Sequence, residues 1–372
     1  DVVNVPEDAY CLDIDWTGVT GEPEIFHVFG GASNLHIYGS VTLATDMDFH
    51  FGGTVRFRTS NTVTITSVGQ DFDYRVIFEG AGVWELQDTF KAPNYYVFHE
   101  RGTFKTLGHP MLVHYWFGNM QEDAPYAVVN MGAELFLGEV DTSSTVWLVK
   151  SPDNQNTKGH FRCFYESGKF HAVESHIIGE KGGYIDCQPS IYHDFWDVTF
   201  NPIDHAGDFL YGNVLNKITF LGGANLISSS VYNLGSPTYI HEAEFHRDAY
   251  IYGNNTYDHL TMSGGYTYKL EYDNSVQTIT AGGSFTQLNG TCTAPIYLYN
   301  PIPGHNTTIR KEGTGTNFNL HNAILDQVYA DQTTGANYTA TNSFAVQPAV
   351  AASWNLTNAL ARDLYWVGGS GN

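Results

Sequence analysis

Leu35-His-Ile-Tyr-Gly-Ser-Val-Thr-Leu43 is followed at once by Met47-Asp-Phe-His-Phe-Gly-Gly-Thr-Val-Arg-Phe57. In both stretches apolar and polar residues alternate for a few positions, a glycine interrupts, and the alternation resumes. Period two marks a strand with one buried face, because successive side chains of an extended chain point to opposite sides. Glycine supplies the corner. The same plan returns in Thr62-Val-Thr-Ile-Thr66, Val83-Trp-Glu-Leu86, Lys217-Ile-Thr-Phe-Leu221, Ala249-Tyr-Ile-Tyr252 and Ala294-Pro-Ile-Tyr-Leu-Tyr299. Helical periodicity is almost absent. A sandwich carries longer strands at steadier spacing. Very short strands broken by small turns suit a chain that winds in stacked coils, whose inward residues form a continuous apolar column. The sequence therefore predicts an all-β, elongated β-solenoid of the parallel β-helix kind.

A degenerate repeat agrees with this. Phe78-Glu-Gly-Ala-Gly-Val-Trp-Glu-Leu86 is echoed by Phe220-Leu-Gly-Gly-Ala-Asn-Leu226, an apolar strand end, a glycine-rich corner and a fresh apolar residue. Residues 1–328 are expected to form the solenoid. Within them, 150–210 open on Lys150-Ser-Pro-Asp-Asn-Gln-Asn-Thr-Lys-Gly159 and read as an irregular, loop-rich insertion. Residues 329–372 are poor in strand signals, with a little helix in the alanine-rich run 345–360. They read as a C-terminal tie to a following module of a longer polypeptide.

Composition excludes several functions. Aromatic residues make up 15% and charged residues only 15%, which argues against disorder. Lys and Arg number 17 against 39 Asp and Glu, a formal charge of −22. Such a surface repels phosphate backbones, so nucleic acid is not an expected partner. No apolar run has the length of a membrane span, so no membrane insertion is expected. No cofactor-binding motif stands out, and the carboxylates would suit weak binding of divalent cations such as Ca²⁺.

Three groups of residues are candidates for a site. Asp186, Asp194, Asp197, Asp204 and Asp208 lie close in sequence among His193, Trp196 and His205. Carboxylates beside aromatics suit glycan contact, Ca²⁺, or the acid–base chemistry of a glycosidase or polysaccharide lyase, and a solvated acidic surface is the plain alternative. Cys163 and Cys187 are separated by about one coil and are disulfide candidates, while Cys11 and Cys292 have no assigned partner. His241-Glu-Ala-Glu-Phe-His246 is not the zinc motif His-Glu-x-x-His, since its second histidine falls one residue late. On a regular strand 241 and 246 would also face opposite sides.

Several phrases resemble a known family. Cys11-Leu-Asp-Ile-Asp-Trp-Thr-Gly18, Leu35-His-Ile-Tyr-Gly-Ser-Val-Thr-Leu43, Phe78-Glu-Gly-Ala-Gly-Val-Trp-Glu-Leu86 and Leu364-Tyr-Trp-Val-Gly-Gly-Ser-Gly-Asn372 occur in that order. They resemble phrases in tandem-repeat modules of giant Bacteroidetes-type cell-surface adhesins, exported by the type 9 secretion system and in some cases linked to gliding motility. The likeness covers residues 11–90 and 364–372 best and is weak between them. It implies an extracellular, cell-surface module with no catalytic residues to carry over. Its partners would be neighbouring modules of the same polypeptide. At that joint Tyr365 and Trp366 are expected to dock on a solenoid end, with the glycine run as hinge.

The expected function is thus a non-enzymatic structural and adhesive repeat module. A carbohydrate-binding module contacting surface glycans through the aromatic-rich middle is the alternative, and a polysaccharide lyase or hydrolase on the same fold comes third.

Overall fold

A computed structural model describes residues 2–27, 33–118, 137–142, 145–148, 159–163, 170–172, 174–179, 182–187, 193–201, 206–228 and 237–357. The chain is a β-solenoid of stacked parallel coils, about 13 in all, with 60% strand and 3% helix. It divides into two compact units, Asp1–Gly212 and Asn213–Asn372.

In the first unit the coils lay strands on up to three faces in turn. Asp48–Phe51, Thr54–Phe57 and Thr62–Thr66 occupy the first, second and third face of one coil. On the second face, Thr54–Phe57 pairs in parallel with Val76–Phe78, which pairs with the end of Phe90–His99. That stack continues through the end of Met111–Gly118, then His160–Cys163, Gly183–Cys187 and Gly207–Leu210. The third face runs from Ile14–Asp15 through Val41–Thr42, Thr62–Thr66, Val83–Leu86, Arg101–Lys105 and Leu137–Asp141 to Phe170–His171. Because parallel neighbours stay in register, inward residues fall into columns. Leu35, Val55, Val76, Val97, Trp116, Phe161, Ile185 and Phe209 form one, and all are buried.

Aromatic rings fill much of this core. Phe57 stacks on Phe78 at 4.8 Å, and Phe78 meets Trp84 at 5.1 Å and Phe104 at 4.9 Å. Each ring removes roughly 150–250 Å² from water, at about 25 cal/mol per Å². The coils approach so closely that some corners admit only glycine. A Cβ on Gly39 would lie 2.4 Å from the Leu12 carbonyl oxygen of the preceding coil.

The second unit repeats the plan with long strands that turn a corner. Thr238–Phe245, Asn255–Ser263 and Val276–Leu288 lie on successive coils, each pairing in parallel with the next. Asn213–Phe220 and Ala224–Ile227 begin the unit. Inside, Phe220 stacks on Phe245 at 5.1 Å. Two buried amides are linked: the Asn255 amide donates to Gln277 Oε1 at 3.2 Å, and the Gln277 amide donates to the Gly253 carbonyl at 2.7 Å. Leaving such groups unpaired in the interior would cost about 1–3 kcal/mol each, so this ladder helps to set the register.

Two expected boundaries change. Residues 150–210 are not a loop-rich insertion throughout. Their described parts are coils in register, because Phe161, Phe170, Ile185, Phe195, Val198, Phe200 and Phe209 supply the inward columns. The solenoid also does not stop at 328. Asn337–Thr341 pairs with Asn317–His321 and with Asn355–Thr357, and the only α-helix among the described residues is Pro348–Ser353. Tyr338 and Trp354 are buried there, 5.8 Å apart.

Candidate functional site

The described members of the candidate aspartate group do not converge on one point. Asp186 and Asp208 stand outward on neighbouring strands of the second face, but in different columns: Asp208 faces Tyr184, and Asp186 faces Leu210. Asp197 pairs with His176 on another face, and Asp194 is exposed at the start of its strand. Asp204 lies outside the described residues. Among the described residues, no three or more His, Cys, Asp or Glu are grouped to hold a metal ion. The Asp186 side chain is only 14% exposed. Burial pushes its carboxyl up to about 6, against the pull of Arg162, whose Nε lies 3.4 Å from Oδ2.

Among the described residues, the aromatic-rich middle is mostly interior. Phe161, Phe170, Phe195 and Phe200 are buried, leaving Tyr184 and Trp196 half-buried. Arg162 packs over the Tyr184 ring at 5.6 Å, and His160 stacks on it at 5.0 Å. Cys163 and Cys187 stand opposite one another in the register of adjacent coils, with Cys187 buried. The Cys163 side chain lies outside the described residues, as do Tyr365 and Trp366.

A dense outward polar constellation lies in the second unit, at a corner the sequence did not single out. Thr238–Phe245 bends so that His241 and Glu242 both point outward in succession, between buried Ile240 and Ala243. This double step resets the alternation and brings His246 to the outward side as well, which corrects the opposite-face expectation. The two histidines still share no ligand position. His246 faces Glu244 at 3.4 Å, and His241 faces Asp258.

Asp258 is the hub. Its Oδ2 accepts from the Tyr239 hydroxyl at 2.6 Å and lies 2.7 Å from His241 Nδ1, and its Oδ1 accepts from the Thr280 hydroxyl at 2.7 Å. Burial opposes the charged carboxylate, but the three partners outweigh it and hold the carboxyl below its ordinary range. Burial, helped by Asp258, pushes the Tyr239 phenol up to about 12. With a carboxylate as neighbour, His241 Nδ1 carries a proton, so Nε2 is directed away from the hub. The His259 ring lies 5.5 Å from that of His241, and its Nδ1 is 2.9 Å from Ser284 Oγ. Gly283 makes the corner possible, since a Cβ there would meet the Asp258 carbonyl oxygen at 1.9 Å.

The chemistry of this hub is to tie coils together. Tyr239 and His241 belong to one coil, Asp258 to the next and Thr280 to the one after. Beside it Lys217 Nζ reaches Glu242 at 3.0 Å and Glu244 at 2.8 Å, again one coil on. No helix among the described residues is long and apolar enough to cross a membrane. No protein-family pattern, curated protein or solved structure matches the chain.

Proposed function

We propose that this chain is a structural and adhesive module of a large secreted bacterial cell-surface protein, giving reach and surface attachment without catalysis. The observation that carries this reading is the direction of its polar bonds. Arg56 and Arg58 share Glu79, Lys105 reaches Glu85, Arg162 faces Asp186, Lys217 holds Glu242 and Glu244, and Arg310 holds Asp331. Every one of these pairs joins one coil to the next. The Asp258 hub joins three. Chemically able groups are thus engaged between coils, whereas a catalytic centre needs convergent groups open to a substrate.

Each exposed pair contributes only about 0–1 kcal/mol. A solenoid, however, sums the interfaces between nearest neighbours, so many small ties set how well a stack resists being pulled apart. The phrases shared with adhesin modules support the same reading and point to neighbouring modules as partners. Beads coated with the purified chain should be retained under flow on polysaccharide-coated or bacteria-coated glass more than beads coated with heat-denatured chain. Equal retention on every surface would overturn the adhesive part of the reading.

A further inference from the structure

One outward sheet face of the second unit, away from the Asp258 corner, has an unusual surface. It is built by Ala249–Tyr252, Thr267–Glu271, Ile296–Tyr299 and Ala323–Asp326, each paired in parallel with the next. Inward positions are ordinary core: Ala249, Ile251, Tyr268, Leu270, Leu298 and Leu325 are buried. Outward positions of a solvated face usually carry small hydroxyl or charged residues. Here they carry four half-buried tyrosines, in two nearly parallel pairs. The Tyr250 and Tyr252 rings are 6.2 Å apart at 13°, and the Tyr297 and Tyr299 rings are 4.9 Å apart at 13°.

Register sets the pairs against each other. Tyr250, Lys269, Tyr299 and Asp326 form one column, so Lys269 lies between the two tyrosine pairs. Strands in a sheet are about 4.8 Å apart, which puts Tyr250 and Tyr299 roughly 10 Å apart along the stack. Lys269 Nζ sits 3.9 Å from the Tyr250 ring centre and donates to its hydroxyl. It makes no ion pair among the described residues, in a chain with more than twice as many acids as bases. Glu271 stands beside Tyr252 in register, and Asp326 accepts from the Tyr297 hydroxyl at 3.1 Å.

We propose that this face is a binding platform for an extended, neutral hexopyranose chain. The C–H faces of pyranose rings carry partial positive charge and pack against the electron-rich faces of aromatic rings. Lys269 donates to sugar oxygens, while Glu271 and Asp326 accept from sugar hydroxyls. Two carboxylates to one ammonium at the platform, and −22 over the chain, select against a polyanion. The hydroxyls and charges between the rings are unlike the desolvated apolar centre of a protein interface. The proposal goes beyond the adhesive reading by naming the ligand class and its place, and it does not depend on that reading.

Calorimetric titration of the full chain with cellohexaose, laminarihexaose, mannohexaose and, as the anionic arm, oligogalacturonate tests it. At least one neutral hexasaccharide should bind. Tyr250→Ala and Tyr299→Ala should each weaken that binding about tenfold or more, equivalent to about 1.4 kcal/mol. Tyr250→Phe should keep most of the affinity, and Tyr10→Ala, in the other unit, should change nothing. Should an alanine variant fail to show the wild-type circular dichroism, Lys269→Met, which keeps the rings, replaces it and should weaken binding. Saturation transfer from the wild-type chain then reports which sugar protons lie on the rings. Absence of neutral binding, binding only of oligogalacturonate, or indifference to these substitutions would overturn the platform. Each of those results leaves the bead-retention test of adhesion to be decided separately.

Discussion

His99 shows how one residue can govern the response of a unit to acid. It lies inward in the column of Phe57 and Phe78, fully buried against Phe78, Trp84, Phe104 and Trp116. Burial lowers its pKa to about 3, against about 6.5 for an unfolded histidine. Between those values the unfolded chain binds a proton that the folded chain refuses. Stability fully present above pH 6.5 is therefore lost as pH falls, with a slope approaching about 1.4 kcal/mol per pH unit. His99→Phe should flatten the dependence of urea-unfolding free energy on pH between 7 and 5, and superimposable slopes would show that His99 is not held neutral. Asp258 acts in the opposite range. Its folded pKa is depressed, so its contribution is present above the unfolded value near 4 and disappears as pH falls through the folded one. Asp258→Asn should cost about 1–3 kcal/mol at pH 7, and the gap to wild type should close below pH 4.

At the scale of the element, what matters is how closely one strand lies on the next. Val276–Leu288 crosses the Asp258 backbone at Gly283 with no room for a side chain. Gly283→Ala should push this corner away, break the Thr280–Asp258 bond and lower the melting temperature measured by calorimetry. Gly282→Ala, one residue earlier and with open space around its Cβ, is the matched control. The inward half of most strands was legible in the sequence. Leu35, Ile37 and Val41, then Phe49, Phe51, Val55 and Phe57, are buried as their alternation predicts. The corner at His241–Glu242 was not, because two outward residues in succession look like a break in the pattern. Nor were the strands after 328. Asn337-Tyr-Thr-Ala-Thr341 carries only Tyr338 and Ala340 inward, and so little apolar content reads as a linker.

Over the whole molecule the acidic excess sets a background against which local ties operate. With 39 acids and 17 bases, like-charge repulsion outweighs attraction at long range. Raising NaCl from 10 to 150 mM shortens the Debye length from about 30 Å to about 8 Å. Thermal melts should therefore shift upward over that interval. A downward shift would mean that the exposed ion pairs contribute more than the net repulsion costs.

Composition and periodicity alone were enough for the fold class, since strand alternation, glycine corners and a missing helical period are local properties of the chain. Net charge is likewise a sum over residues, and the expectation that nucleic acid is not a partner rests on it alone. Which outward residues meet was decided only by the tertiary structure. Asp258 with Tyr239 and Thr280, or Lys269 between Tyr250 and Tyr299, are neighbours through the register of successive coils. Coil length varies and the corners absorb the difference, so residues that share a column stand at uneven separations in the sequence. Of the described aspartates of 186–208, close in sequence, only Asp186 and Asp208 come onto adjacent strands: nearness along a winding chain places residues around a coil, and only the stacking of coils brings them together.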